Sequence, residues 1–287
     1  MRLFPTAAQA YAERHELHAL VIERAGEIVF ERYGEGFGSA VGHPLYSGTK
    51  SFWGVLAVAA EEDGLLSLDE PVAQTITEWR FDPLRRRVTL RGLLQLTSGI
   101  GFGGLGNAVP TYEKALQRPV LAEPGSRFTY GGIPLQVFGA VLSRQLAGRF
   151  ASPHAYLHER ILDPIGVRVA EWRKLRDGTN PLPTGAQLTA RDWLRYGRFI
   201  LENGRRDGRA IVGESALAQC FAGSEANPNY GLGWWLRPLE EPADVVYASG
   251  SGGQALYVSR SAQLVAVHFG KSASWGHATF LRRLFGA

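Results

Sequence analysis

Ala19-Leu20-Val21-Ile22-Glu23-Arg24, Ala25-Gly26 and Glu27-Ile28-Val29-Phe30-Glu31-Arg32-Tyr33 follow one another without interruption. Two runs rich in apolar and β-branched side chains flank a glycine-containing pair, so His18 to Gly34 reads as a β-hairpin. A second hairpin lies at the far end of the chain. Ala255 to Ser259 is one strand, Arg260 to Gln263 its turn, and Leu264 to Phe269 the return strand, stopped at Gly270.

Between the hairpins the signals are mainly helical. Ser51 to Glu62 is an apolar helix ended by Asp63-Gly64, Leu90 to Leu96 is a short one, and Pro134 to Leu146 is a third. Thr189-Ala190-Arg191-Asp192 is a capping box with aspartate in the glutamate position, opening a helix through Leu201. Thr279 to Phe285 adds a weaker helical run. Strands at both ends with helices between them predict an α/β fold: a central antiparallel sheet built from both chain ends, flanked by helices, with an all-helical region inserted. No repeat or low-complexity linker interrupts residues 1–287, which read as one domain. The sheet part is expected at about 1–45 and 230–287, and the helical part at about 46–229.

A chain of 287 residues with 45% hydrophobic and 20% charged side chains buries a substantial core, and wholesale disorder is excluded. The net charge of +4 is spread too thinly to name a nucleic acid or other polyanion as partner. Arg85-Arg86-Arg87 and Arg205-Arg206 read as solvated loops. One cysteine, Cys220, cannot form an internal disulfide and reads as a small core filler. No run approaches the roughly 18 apolar residues of a membrane span. The start, Met1-Arg2-Leu3-Phe4-Pro5, has no apolar signal core, and Tyr11 to His18 is polar. Two locations fit: the cytoplasm if this is the whole chain, or the periplasm or exterior if a leader has been removed.

Several motif matches lack their context. Gly101-Phe102-Gly103-Gly104-Leu105-Gly106 spells a dinucleotide fingerprint but follows a helix end and opens no helix, so it reads as a flexible loop. Gly270-Lys271-Ser272 ends like a phosphate loop, yet Val265 stands where the upstream glycine belongs. His154 and His158 are one helical turn apart without a third ligand nearby, so a solvent-facing pair is expected rather than zinc. His15 and His18 read the same way. No metal or cofactor is expected. No Gly-x-Ser-x-Gly elbow occurs, which argues against an α/β-hydrolase.

Tyr46-Ser47-Gly48-Thr49-Lys50 sets a serine and a lysine three residues apart at the mouth of an apolar helix. At about 100° per residue, the two side chains share one face. A serine hydroxyl is a weak nucleophile until a base takes its proton, and lysine is a base only when neutral. Burial against Phe52, Trp53 and Leu56, or a second cation, would bring its pKa down from about 10.4.

Two further segments can meet this pair. Glu123-Pro124-Gly125-Ser126-Arg127-Phe128-Thr129-Tyr130-Gly131-Gly132 puts a tyrosine on a glycine-flanked turn before a buried helix. A nearby lysine cation would lower its phenol, and Tyr130 and Lys50 would titrate as a coupled pair. Ala248-Ser249-Gly250-Ser251-Gly252-Gly253-Gln254 leads into the strand Ala255 to Ser259, where a ligand can approach bare backbone. Its N–H groups could join that of Ser47 in stabilising an oxyanion.

Taken together, these segments make the chain resemble the penicillin-recognising serine hydrolases. That superfamily includes class C β-lactamases, D-alanyl-D-alanine carboxypeptidases, β-lactamase-fold esterases and 6-aminohexanoate-dimer hydrolases. The resemblance spans nearly the whole chain. It takes in Leu93 to Gly99, Pro124 to Tyr130, Leu188 to Asp192, Tyr230 to Trp235 and Gly252 to Gln254, in the family's order. It implies a β-lactamase-like fold, with Ser47 as acyl-accepting nucleophile, Lys50 as its proton partner and Tyr130 as proton shuttle to the leaving group. The oxyanion hole is implied at the N–H groups of Ser47 and Ser251. Two departures stand out. The Tyr-x-Asn motif is replaced by Tyr130-Gly131-Gly132, and Ala248 to Gly253 holds no counterpart to the lysine of Lys-Thr-Gly. Both turn the resemblance toward the esterase and amide-hydrolase branch.

The expectation is a metal-free serine hydrolase acting on a small carboxylic ester or a linear amide through an acyl-enzyme on Ser47. The alternatives are a β-lactamase or D-alanyl-D-alanine carboxypeptidase, and a catalytically silent binding module of the same fold. Phe102, Tyr112 and Trp234 or Trp235 are the candidate lining of an acyl pocket, with Ser249, Gly250 and Gly252 beside them. Gly101 to Gly106 is the candidate lid.

Overall fold

The computed structural model describes residues 2–286. Six antiparallel strands form its main sheet, β1 to β6 in chain order: Leu17–Arg24, Glu27–Tyr33, Trp235–Leu236, Val246–Gly250, Gln254–Ser259 and Leu264–Gly270. They lie side by side as β2-β1-β6-β5-β4-β3. The two ends of the chain therefore meet mid-sheet, where β1 runs antiparallel to β6 from Leu17↔Gly270 to Arg24↔Leu264. Among the described residues, five helices reach nine residues or more. These are α1 to α5: Pro5–Glu13, Ser51–Glu62, Ile133–Gln145, Ala190–Leu201 and His277–Phe285.

Side chains alternate across a strand, and here both faces of the sheet are covered. Ala19 and Val21 of β1, Val258 of β5 and Val267 of β6 enter the large core with α2, α3 and α4. Leu20, Ile22, Tyr257 and Ala266 enter a second core with α1 and α5. Burial on both sides is why these strands read as continuous apolar runs. Each of the valine, leucine and isoleucine side chains contributes roughly 1.5–3 kcal/mol on leaving water. One charged residue interrupts the pattern: Glu23 is fully buried and accepts two hydrogen bonds from Arg198 of α4. That paired charge ties α4 to the sheet.

The helix that carries the candidate site is buried from Ser51 to Ala60. A helix apolar on every side belongs inside a domain. It ends at Asp63, and Gly64 then takes φ +69°, a left-handed conformation that suits glycine. Thr189 caps α4 as the capping box predicts, accepting from the Asp192 N–H.

Several expectations need correction. The first helix, Pro5–Glu13, is not anticipated by the sequence reading; Pro5 at its first position is the signal that marks it. Ala248 to Gly253 is more than the approach to a strand. Its first half ends β4, and Ser251–Gly253 is a tight 3₁₀ turn into β5. The middle of the chain also holds short strands: Glu171–Trp172 and Ala186–Leu188 pair beside His43–Pro44, and Arg205–Arg206 pairs with Arg209–Ala210. His154 does not face solvent. It is buried between the rings of Trp53 and Trp172, where burial pulls its pKa down to about 3. His158 accepts from the Trp172 indole N–H at 3.1 Å. No described helix is long and apolar enough to cross a membrane.

Candidate active site

Tyr46 to Lys50 forms a 3₁₀ turn that runs straight into α2. Tyr46 takes φ +46°, a strained conformation for a residue with a side chain, and this sharp bend presents Ser47 to a cleft. Ser47 stands in the first turn, so its N–H has no acceptor within the helix. Lys50, one turn on, is 1% exposed, and burial pulls its pKa from 10.5 to about 7. Its Nζ lies 3.0 Å from Ser47 Oγ and 3.1 Å from the Pro183 carbonyl. Both protonation states fit these contacts. As an ammonium Lys50 donates to both oxygens; on losing a proton it keeps an N–H on Pro183 and turns its lone pair to the Ser47 hydroxyl. No second cation is needed for the shift; burial alone supplies it.

Tyr130 closes the third side. The Lys50 Nζ sits 5.0 Å from the centre of its ring, and its hydroxyl faces Ser47. Burial raises the phenol, and the Ser47 hydroxyl offsets this only in part. The expectation of a lowered phenol is therefore overturned: Lys50 is itself held near neutrality and lends little positive charge. Tyr130 stands as a neutral O–H donor. Trp235 stacks on Tyr130 at 5.7 Å and on Tyr247 at 6.3 Å, making an aromatic wall.

The end of β4 meets this turn at Gly250. A Cβ there would overlap the Leu45 carbonyl, so only glycine lets the strand close against the segment that carries Ser47. Ser251 begins the following 3₁₀ turn, and its N–H likewise has no intrahelical acceptor. Gln254 fixes that turn, donating to the Ser251 and Gly270 carbonyls. The cleft has a volume of about 610 Å³. Ser47, Tyr130, Trp235, Ser249, Gly250 and Ser251 all line it.

Four candidate lining residues lie elsewhere. Phe102 is 81% exposed and turns to solvent. Tyr112 is buried, with its hydroxyl donating to the Asn180 carbonyl. Gly252 is the middle residue of the turn, and a side chain there would face Gln254 and Gly270, away from the cleft lining. Trp234 is buried and donates to the Ser51 carbonyl; the cleft takes Trp235 instead. The glycine loop contributes Leu105 and Gly106. It is latched rather than free: Gly103 bridges Gly131, and the Gly132 N–H donates to the Gly103 carbonyl. A side chain at 132 would overlap the Gly104 carbonyl. The loop thus occupies the space an asparagine there would need, which accounts for Tyr130-Gly131-Gly132.

Thr184, Tyr247 and His277 also line the cleft and escape a sequence reading. Thr184 comes from an irregular segment with no periodicity. Tyr247 sits on a strand that runs into glycines and so reads as loop, and His277 opens a helix whose sequence signal begins only at Thr279. Among the described residues no cluster of histidine, cysteine and carboxylate side chains is arranged to hold a metal.

A family model described as Beta-lactamase matches residues 8–283. Among solved structures, a Bacillus anthracis protein provisionally named a 6-aminohexanoate-dimer hydrolase superposes with TM-score 0.80 at 22% identity. The match covers 96% of this chain and 80% of that one. A provisionally named beta-lactamase from Bacteroides dorei gives 0.81 at 21% identity, over 98% and 96% of the two chains. EstCE1, a hydrolase with promiscuous acyltransferase activity, gives 0.76 at 18% identity, over 98% and 97%. At these identities the likeness is one of fold.

Proposed function

The chain belongs to the beta-lactamase family of serine hydrolases, and from that premise we propose that it cleaves a small carboxylic ester, or failing that a linear amide, through an acyl-enzyme on Ser47. One observation carries the proposal: a lysine amine sealed from water, brought near neutrality, 3.0 Å from a serine hydroxyl on the floor of a cleft.

The steps follow from the positions. Neutral Lys50 takes the Ser47 proton as Oγ bonds to the carbonyl carbon. The oxygen that becomes negative lies between the N–H groups of Ser47 and Ser251, which are free to donate. Tyr130 gives its proton to the leaving oxygen as the scissile bond breaks, and recovers one from Lys50. Water then attacks the acyl group, its proton passes into the same relay, and Ser47 Oγ leaves protonated. Serine, lysine and tyrosine end as they began.

A fluorophosphonate probe is expected to add one phosphonyl group at Ser47, read by intact mass and peptide mapping. No adduct, or an adduct elsewhere, would leave a silent binding module as the better reading. The β-lactamase alternative predicts rapid cephalosporin hydrolysis. It is disfavoured because Ala248 and Ser249 put no cation where the family's Lys-Thr-Gly has one.

The pH dependence has a definite sign. Lys50 must be neutral to act, so kcat/KM for a p-nitrophenyl ester is expected to rise with pH, with its midpoint near 7. Tyr130, raised by burial, adds no falling limb below pH 9. A rate that falls with pH across this range would contradict a neutral lysine base.

A further inference from the structure

Where Ser249 of β4 lines the cleft, four side chains form a chain of hydrogen bonds. The Trp275 indole N–H donates to the Tyr257 hydroxyl at 3.0 Å. The Tyr257 hydroxyl lies 2.7 Å from His277 Nδ1, and His277 Nε2 lies 2.9 Å from Ser249 Oγ. Its direction can be worked out. An indole N–H only donates, so the Tyr257 oxygen accepts there. Tyr257 is fully buried. If His277 Nδ1 also donated to it, the tyrosine proton would be buried without a partner, at a cost of ~1–3 kcal/mol. Tyr257 therefore donates to Nδ1, and a neutral His277 carries its proton on Nε2. Burial keeps the imidazole neutral, with its pKa down at about 4. Nε2 then donates to Ser249 Oγ, which leaves the Ser249 proton directed into the cleft.

The surroundings limit what that proton meets. Among the described residues, none of the side chains that line the cleft is a lysine, arginine, aspartate or glutamate. Lys50 lies beneath the floor, sealed from water, and is neutral above about pH 7, the range in which the cleft carries no cation. A substrate carboxylate would enter with no cation to replace its water, whereas a carbonyl oxygen needs only one donor. The wall of Tyr130, Trp235 and Tyr247 faces the same space and suits an apolar or aromatic group.

We propose that Ser249 is a substrate-binding donor whose polarity is fixed by the one-way chain Trp275 to Tyr257 to His277, so that the cleft selects an uncharged ester with a second neutral carbonyl and rejects its carboxylate counterpart. This rests on the serine-hydrolase reading for the placement of the scissile carbonyl at Ser47. Ser249 is the contact; His277, Tyr257 and Trp275 are positioning residues.

The test is a binding measurement in the Ser47→Ala protein, which cannot acylate. Dimethyl phenylsuccinate and its monomethyl ester are titrated by calorimetry, and the His277 ring nitrogens are read by ¹⁵N NMR. The diester is expected to bind at least about tenfold tighter than the monoester, and adding Ser249→Ala to weaken the diester about five- to tenfold. The spectrum is expected to show the proton on Nε2, and adding Tyr257→Phe to let the Nδ1–H form appear. Equal or tighter binding of the monoester, an unchanged affinity on adding Ser249→Ala, or a proton resident on Nδ1 would each overturn the proposal. The tautomer and the two affinities are measured without a variant beyond Ser47→Ala, so a misfolded double variant does not shield it. Failure of the acyl-enzyme reading shows separately, as absence of the phosphonyl adduct in the parent protein.

Discussion

Replacing Lys50 with methionine is expected to abolish ester hydrolysis and, at pH 6, to raise the melting temperature. Both effects come from one buried atom. Without a base beside Ser47 the hydroxyl stays protonated, and a loss of at least ~10³-fold in kcat is expected. The stability effect follows from linkage. The unfolded chain keeps the lysine proton up to about pH 10.5, while the folded protein releases it near 7. Between those values the unfolded state binds more protons, so stability rises with pH across the window and the penalty is complete below it. That penalty is roughly 5 kcal/mol at 1.36 kcal/mol per pKa unit. Methionine is unbranched, of similar length, and needs no proton. It leaves the Pro183 carbonyl without its donor, which returns ~1–3 kcal/mol, and some packing is lost. A net gain of about 2 kcal/mol at pH 6 corresponds to a rise of several degrees. At pH 10 most of the penalty has gone while the lost hydrogen bond remains, so the ranking should invert. Thermal melts of parent and variant at both pH values check this. A variant less stable at pH 6 as well as at pH 10 would mean that Lys50 is held as a paired cation, and retention of a tenth of the parental rate would remove it as the base.

The same burial explains what the sequence discloses and what it hides. The strands at mid-sheet are legible because both faces are covered: Leu20-Val21-Ile22 and Leu264-Val265-Ala266-Val267 are unbroken apolar runs. Val246–Gly250 is hidden because it passes into the glycines that let it touch Leu45, and glycine is also the signature of a loop. In the cleft, Ser47 and Lys50 are legible because three residues make one helical face. Tyr130 is legible through its setting between turn and helix. Pro183, Thr184 and His277 carry no such signal, since they reach the site from irregular chain or a helix start. Phe102 shows the opposite failure. A lone aromatic among glycines suggests a pocket wall, yet the latch between Gly103 and Gly131 fixes the loop with Phe102 turned outward and Leu105 turned in. The direction of the Tyr130 shift was hidden for a related reason. Proximity to a lysine predicts a lower phenol only if the lysine is charged, and its charge depends on burial that the sequence does not display.

That raised phenol leads to a division among substrates. Tyr130→Phe is expected to reduce the rate on methyl or ethyl esters by about 10²–10³-fold while costing less than about tenfold on p-nitrophenyl esters. An alkoxide is a poor leaving group and needs a proton as the bond breaks, whereas p-nitrophenolate departs as the anion. A neutral phenol near pH 7 has that proton to give; a phenolate would not, and burial holds Tyr130 on the neutral side. Phenylalanine keeps the ring, so the stack on Trp235 at 5.7 Å and the cover over Lys50 should survive, and the melting temperature should move little. The comparison is therefore between two esters of one acid in one folded protein. If both fall by the same factor, Tyr130 acts by shaping the cleft or holding Ser47, and the leaving oxygen takes its proton from Lys50 or water instead. If only the alkyl ester falls, the loss is confined to the step in which the departing oxygen must be protonated, and only the hydroxyl removed from Tyr130 can account for it.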